Sequence, residues 1–70
     1  MKTNAEKIKQ LRIARKAAGL SQHELASLVG LKEGTITFYE TGRRNIPLEV
    51  LEMLILACKN QVAKNLKRIS

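Results

Sequence analysis

The sequence has one cysteine, one histidine, no tryptophan and only two aromatic residues, Phe38 and Tyr39. A lone cysteine excludes a disulfide within the chain, and one cysteine with one histidine provides too few ligands for a zinc site. Because aromatics are scarce, aliphatic side chains must supply most of the core. At 70 residues the chain is expected to form one domain with a thin stability margin. Helix packing, with dimerisation as a further source of stability, is the expected solution.

Long hydrophobic runs are also missing. The longest, Met53 to Cys58, is far shorter than the roughly 20 residues that a membrane span requires, and no signal-peptide pattern is present. We find neither a Gly-rich phosphate loop nor a catalytic pair of carboxylates, so we expect no enzyme, no catalytic residue, no metal and no cofactor. An unpaired thiol suits the cytoplasm, which is the expected compartment.

Negative charge is scarce, since 6 glutamates and no aspartate face 13 Lys and Arg residues, for a net charge of +7. Residues 1–16 carry +5 (six positive, one negative), residues 17–58 carry −2 (three positive, five negative) and residues 59–70 carry +4. A strongly basic small domain suggests a polyanionic partner, most often nucleic acid and less often an anionic membrane surface. A merely solvated basic surface is the alternative that charge alone leaves open.

The spacing of apolar residues predicts an all-α chain with four to five short helices. The first helix is expected over residues 4–18 and ends at a left-handed Gly19. The second begins at Ser21, where Glu24 completes a capping box, and ends at Gly30. Its expected apolar face consists of Leu25, Ala26, Leu28 and Val29.

The second half of the chain is expected to contain two further helices or three. A third helix is predicted over residues 32–41, and Pro47 suits the start of a fourth, whose apolar residues cover more than one side. We expect a break at residues 59–61, which would divide the chain into a domain of residues 1–58 and a short basic helix within residues 59–70. One continuous helix to the C-terminus is the alternative.

Two short helices joined by a tight turn indicate a central helix-turn-helix. Ala26 is small where the two helices must approach closely, and Gly30 can adopt the positive φ that the turn requires. Leu25, Val29 and Ile36 would fix the angle between the helices by burying against the first and fourth helices.

Residues 19–45, which read GLSQHELASLVGLKEGTITFYETGRRN, resemble the phage-repressor helix-turn-helix class, the Cro and lambda-repressor-like or XRE family. The resemblance extends over about residues 8–57. It implies a compact lambda-repressor-like domain of four to five helices that binds double-stranded DNA.

The resemblance also implies which residues read bases, because the second helix of such a motif enters the major groove. The base-reading positions would be Glu33, Gly34, Thr37 and Phe38. Glu33 could accept from cytosine N4, and Phe38 could meet a thymine methyl group or, alternatively, be a partly buried packing residue. Gly34 either permits a close approach to DNA or weakens the contact.

Phosphate contacts are expected from polar residues near the helix ends and in the loop after the third helix. These are Gln22, Lys32, Thr35, Thr41, Arg43, Arg44 and Asn45. By resemblance, Gln22 also braces a reading residue, and Arg15 with Glu40 forms a partly buried structural ion pair. His23 is expected to be a surface residue without a role.

The implied function is that of a transcriptional regulator, most simply a repressor, acting as a homodimer on a near-palindromic operator. Apolar residues of the C-terminal third would form the dimer surface: Leu51, Leu54, Ile55, Val62, Leu66 and Ile69. The alternative is an antitoxin or another protein-interaction module that uses the fold as a scaffold and binds a toxin or other protein. Membrane attachment is not expected, because the basic terminal segment has few apolar residues.

Overall fold

A computed structural model describes residues 2–69, with side chains described as far as residue 67. Over that range the chain consists of four helices without a strand: α1 (Asn4–Ala17), α2 (Gln22–Val29), α3 (Glu33–Glu40) and α4 (Leu48–Ile69). The all-α prediction is therefore confirmed. None of these helices has both the length and the hydrophobicity needed to cross a membrane.

Local sequence determines where the first two helices begin and end. The Thr3 hydroxyl accepts from the Glu6 N–H at 3.2 Å and starts α1. At the start of α2, Ser21 and Glu24 form both hydrogen bonds of the predicted capping box, each 3.0 Å long. Gly30 ends α2 with φ 73°, a left-handed conformation that favours glycine.

The last helix differs from the preferred prediction. α4 is continuous through residues 59–61, so the predicted break and the separate last helix are wrong, and the alternative of one long helix is observed. A tertiary contact holds its C-terminal half, because the Asn65 amide donates to the Ala18 carbonyl at 3.4 Å and accepts from Gln61 at 3.3 Å. The contact with Ala18 joins residues 47 apart and could not be inferred from local composition.

The core lies where α1, α2 and α3 meet the first half of α4. Leu28, predicted on the apolar face of α2, is instead 51% exposed. Cys58 is buried as a core thiol, and this burial raises its pKa. The largest fully buried side chains are Leu11, Leu25, Ile36, Ile46, Leu51, Leu54 and Cys58.

The loop between α3 and α4 is anchored to α1 through Ile46. Its side chain is fully buried, its N–H donates to Asn4 Oδ1 at 3.0 Å, and its carbonyl accepts from Lys7 Nζ at 2.9 Å. This anchor fixes the position at which residues 43–45 leave α3.

Two residues of the predicted dimer surface belong to the core. Leu51 and Leu54 are 1% and 0% exposed, so their assignment to a dimer surface is wrong, because the side of α4 on which they lie is already covered within the chain. Ile55 and Val62 are half-buried at the edge of the core, and Leu66 is 64% exposed. The Ile69 side chain lies outside the described residues.

Candidate nucleic-acid interface

The turn between α2 and α3 holds α3 with one face outward. After Gly30, the Leu31 N–H donates to the Ala26 carbonyl at 2.9 Å, and Lys32 is the extended N-cap of α3. Ile36 is fully buried beneath the helix. The opposite face of α3 therefore points to solvent.

The four predicted base-reading residues lie along α3 and are all accessible. Glu33, Gly34 and Phe38 are exposed, and Thr37 is half-buried. Phe38 is 38% exposed, which leaves part of its ring accessible to a ligand. His23, predicted to have no role, lies beside this face with its Nδ1 at 3.4 Å from Glu33 Oε1.

Arg15 and Glu40, for which the family resemblance implies an ion pair, are in contact. The guanidinium donates through Nε and Nη2 to the two Glu40 oxygens at 2.7 and 3.0 Å, and through Nη1 to the Leu20 carbonyl at 2.8 Å. The Arg15 and Glu40 side chains are only 12% and 4% exposed. The pair thus joins the end of α1 to the end of α3.

The electrostatics of this pair favour both charges. Burial by itself raises the pKa of Glu40, but the hydrogen bonds from Arg15 and Gln22 and the Arg15 charge outweigh it and hold that pKa below its usual value. The hydrogen bond to Glu40 raises the pKa of Arg15 in return. Glu40 therefore remains an anion and accepts hydrogen bonds from both neighbours.

Gln22 connects this pair to the outward face of α3. Its amide nitrogen donates to Glu40 Oε1 at 3.1 Å, and its amide oxygen accepts from the Thr37 hydroxyl at 2.8 Å. We call the four linked side chains, Arg15, Glu40, Gln22 and Thr37, the polar chain. Gln22 thus braces a predicted reading residue and keeps a second amide hydrogen for another acceptor.

Two arginines of the following loop lie against Phe38. The guanidinium carbons of Arg43 and Arg44 are 6.0 and 5.9 Å from the ring centroid, near the outer limit for a cation–π contact. The Arg44 N–H also donates to the Phe38 carbonyl at 3.2 Å. Positive charge is thereby held at the C-terminal end of α3.

The other residues predicted to contact phosphates differ in how exposed they are. Lys32 and Asn45 are exposed at the start of α3 and in the loop, and Thr35 is half-buried. Thr41 is exposed, but its hydroxyl donates to the Thr37 carbonyl at 2.8 Å. A phosphate contact from the Thr41 hydroxyl would have to replace this bond, and its predicted role stays a prediction.

One basic residue near the site was not among the predicted contacts. Arg12 is half exposed, and its Nε lies 3.9 Å from Glu40 Oε1. It precedes Arg15 by three residues, a separation that places two side chains on one face of a helix. That spacing was the sequence signal that could have identified it.

Comparison with known families supports this description. Residues 11–65 match the family model described as Helix-turn-helix, a range that extends from α1 through the α2–α3 unit into α4. No curated protein and no solved structure matches the chain. The matched range includes the capping box, the Gly30 turn and the outward face of α3. The chain therefore belongs to the helix-turn-helix family of Cro and lambda-repressor-like (XRE) proteins and carries a DNA-binding domain of that family.

Proposed function

We propose that this protein is a sequence-specific transcriptional repressor that inserts α3 into the major groove of a near-palindromic operator as a homodimer. The outward face of α3 supports the proposal most directly. It carries a carboxylate and a hydroxyl, Glu33 and Thr37, where no core packing requires them. Cationic side chains stand at both of its ends, with Lys32 before it and Arg43 and Arg44 after it.

Each reading position contributes a different contact. Glu33 accepts from cytosine N4, and the exposed part of the Phe38 ring contacts a thymine methyl group. Gly34 presents no side chain, and a Cβ there would have nothing within 4 Å in the free protein. The absence of this atom allows the DNA to approach the helix closely.

Phosphate contacts orient the domain without reading sequence. Lys32, Arg43 and Arg44 supply positive charge, and Thr35 and Asn45 supply neutral donors. The second amide hydrogen of Gln22 meets a phosphate at the start of α2, where the helix dipole also favours an anion.

The proposed dimer uses a partly exposed stripe of α4. Leu48, Ile55 and Val62 recur every seven residues and therefore lie along one side of the helix, with Leu66 close to the same line. Leu48 and Leu66 are 51% and 64% exposed. To bind two adjacent half-sites, the dimer must hold its two α3 helices about 34 Å apart, one turn of DNA.

In the cell we place the protein in the cytoplasm, associated with the nucleoid when it is bound to DNA. Occupation of an operator that overlaps a promoter would exclude RNA polymerase from the same DNA.

The test is selection of bound duplexes from a random DNA library, followed by sequencing. We expect a near-palindrome whose half-site centres lie about 10 base pairs apart. A Glu33→Gln variant should select a changed base within each half-site, because the amide can donate as well as accept. An Arg44→Gln variant serves as the control and should select the wild-type sequence with lower affinity.

Failure of a folded wild-type protein to enrich any sequence would refute the proposed function. It would leave the protein-interaction alternative, with a toxin or another protein as the partner, to be tested by pull-down with the purified chain.

A further inference from the structure

The hydroxyl hydrogen of Thr37 is already used inside the protein. Thr37 Oγ1 lies 2.8 Å from Gln22 Oε1 and 3.2 Å from the Glu33 carbonyl oxygen. Both neighbours accept hydrogen bonds, and a hydroxyl has only one hydrogen to give. Whichever neighbour receives it, the hydrogen is engaged by an acceptor of the protein, and the hydroxyl oxygen can only accept from a ligand.

The rest of the polar chain enforces this direction. Arg15 donates two hydrogen bonds to Glu40, which as an anion can only accept. The Gln22 side chain must therefore turn its NH₂ group toward Glu40, at 3.1 Å. Its carbonyl oxygen then faces Thr37, and that oxygen requires a donor. The order of donors and acceptors is thus set from α1 outward to the reading face.

We propose that Thr37 reads DNA as an acceptor only and selects a base that presents an exocyclic amino group in the major groove. This inference rests on the proposed function. Adenine N6 and cytosine N4 are the two amino groups available there, whereas guanine O6 and thymine O4 are acceptors and would face the Thr37 oxygen without a hydrogen between them. The direction of the hydrogen bonds inside the protein thereby determines specificity at one base of each half-site.

The test uses base analogues within the operator found by library selection. Each adenine of a half-site is replaced in turn by purine, which lacks the 6-amino group, and each cytosine by pyrimidin-2-one, which lacks the 4-amino group. Affinity is measured for the wild type, Thr37→Val and Thr37→Ser. At one position the wild type should lose about three- to tenfold in affinity, the value of one net hydrogen bond.

The variants assign that loss to the hydroxyl. Thr37→Ser keeps the oxygen and should show the wild-type loss, whereas Thr37→Val is nearly isosteric and should show none. Each variant is compared with itself on two duplexes, which cancels a general change in its affinity. The effect of the analogue on duplex stability is common to all variants and cancels when their losses are compared. Thermal unfolding verifies that each variant folds, and Thr37→Ala, which favours a helix, replaces the valine variant if that one does not.

The outcomes separate this inference from the proposed function. If the operator is specific but no amino group shows a Thr37-dependent loss, the acceptor role is overturned and operator recognition stands. If the folded wild type selects no sequence, operator recognition fails and the acceptor role fails with it.

Discussion

At the residue scale, the polar chain shows what the sequence could and could not predict. Arg15 and Glu40 are 25 residues apart, and their pairing was inferred only from resemblance to the family. The link from Gln22 to Thr37 spans 15 residues and depends on how α2 and α3 cross. The four residues could thus be named from the sequence and the family resemblance. The direction of the hydrogen bonds between them required the positions of all four side chains.

The Glu40→Gln substitution should destabilise the fold near neutral pH. It should also weaken the dependence of the free energy of unfolding on pH in the acidic range. It removes an anion that accepts hydrogen bonds from Arg15 and Gln22, and bonds to a charged group contribute about 1.5–3 kcal/mol each to the free energy of unfolding. The pKa of Glu40 lies below the ordinary value of 4.5, so its ionisation stabilises the fold fully above that value. This stabilisation is lost as the pH falls below 4.5 and through the depressed pKa.

Urea unfolding between pH 7 and pH 3 measures this effect. The difference between the wild type and the glutamine variant should be largest at pH 7 and should shrink in acid. Some acid sensitivity will persist in the variant, because the backbone N–H of Ser21 also lowers the pKa of Glu24. Glu52→Gln makes the same charge change on the exposed side of α4 and should shift stability by no more than about 0.5 kcal/mol. A constant difference across the pH range would contradict the ion-pair argument.

At the scale of the element, α3 is an intrinsically weak helix whose position is fixed by its neighbours. It has eight residues, including a glycine and two β-branched threonines, and its N-cap makes no side-chain hydrogen bond. Burial of Ile36 and Tyr39 and the ion pair of Glu40 hold it in place. The position of α3 on the surface thus comes from tertiary contacts made by its inner face. Because the outer face is not needed to hold the helix, it can carry residues suited to DNA.

The Gly34→Ala substitution should separate stability from DNA binding. Gly34 lies within α3, and an added Cβ would meet nothing within 4 Å, so alanine should stabilise the fold by about 0.5–1 kcal/mol. The same methyl group would enter the proposed contact with DNA and should weaken operator binding. Thermal unfolding and binding titrations with the selected operator measure the two effects.

Gly30→Ala is the matched control for this prediction. An added Cβ there also meets nothing within 4 Å, but the backbone has φ +73°, which costs an alanine roughly 1–2 kcal/mol. The two substitutions should therefore change stability in opposite directions. Unchanged operator affinity in Gly34→Ala would show that DNA does not approach α3 at this residue.

The main errors of the sequence-based prediction concern α4 and the loop before it. Lys59, Asn60 and Gln61 lack apolar side chains and suggested a break, but none of them prevents a helix, and Asn65 holds the continuation against α1. Ile46, in the loop before α4, is fully buried, and no sequence pattern marked it as part of the core. In both cases a long-range contact outweighed local composition.

At the scale of the whole molecule, the proposed dimer depends on a stripe of α4 that the monomer covers only in part, since Ile55 and Val62 are half-buried. Leu66→Glu would place a carboxylate in that stripe at a residue 64% exposed, so the monomer should fold normally while the dimer dissociates. Analytical ultracentrifugation at micromolar concentration and operator binding should both report the loss. Leu56→Glu is the control: Leu56 is 59% exposed but lies about 100° around the helix from Ile55.

A wild-type protein that is monomeric at these concentrations, with or without operator, would contradict the dimer. Dissociation by Leu56→Glu but not by Leu66→Glu would place the interface on a different side of α4.

The positive charge around α3 predicts that operator affinity falls steeply as the salt concentration rises. If Lys32, Arg43 and Arg44 each neutralise one phosphate in both subunits, six phosphates are covered, and log K should fall with log salt at a slope of about −5. Arg44→Gln removes two of these contacts per dimer and should make the slope shallower by about 2. Lys59→Gln removes the same charge from the basic segment of α4, away from α3 in the sequence, and should leave the slope unchanged. An equal reduction by both variants would mean that the basic C-terminal residues, with their net charge of +4, also contact DNA.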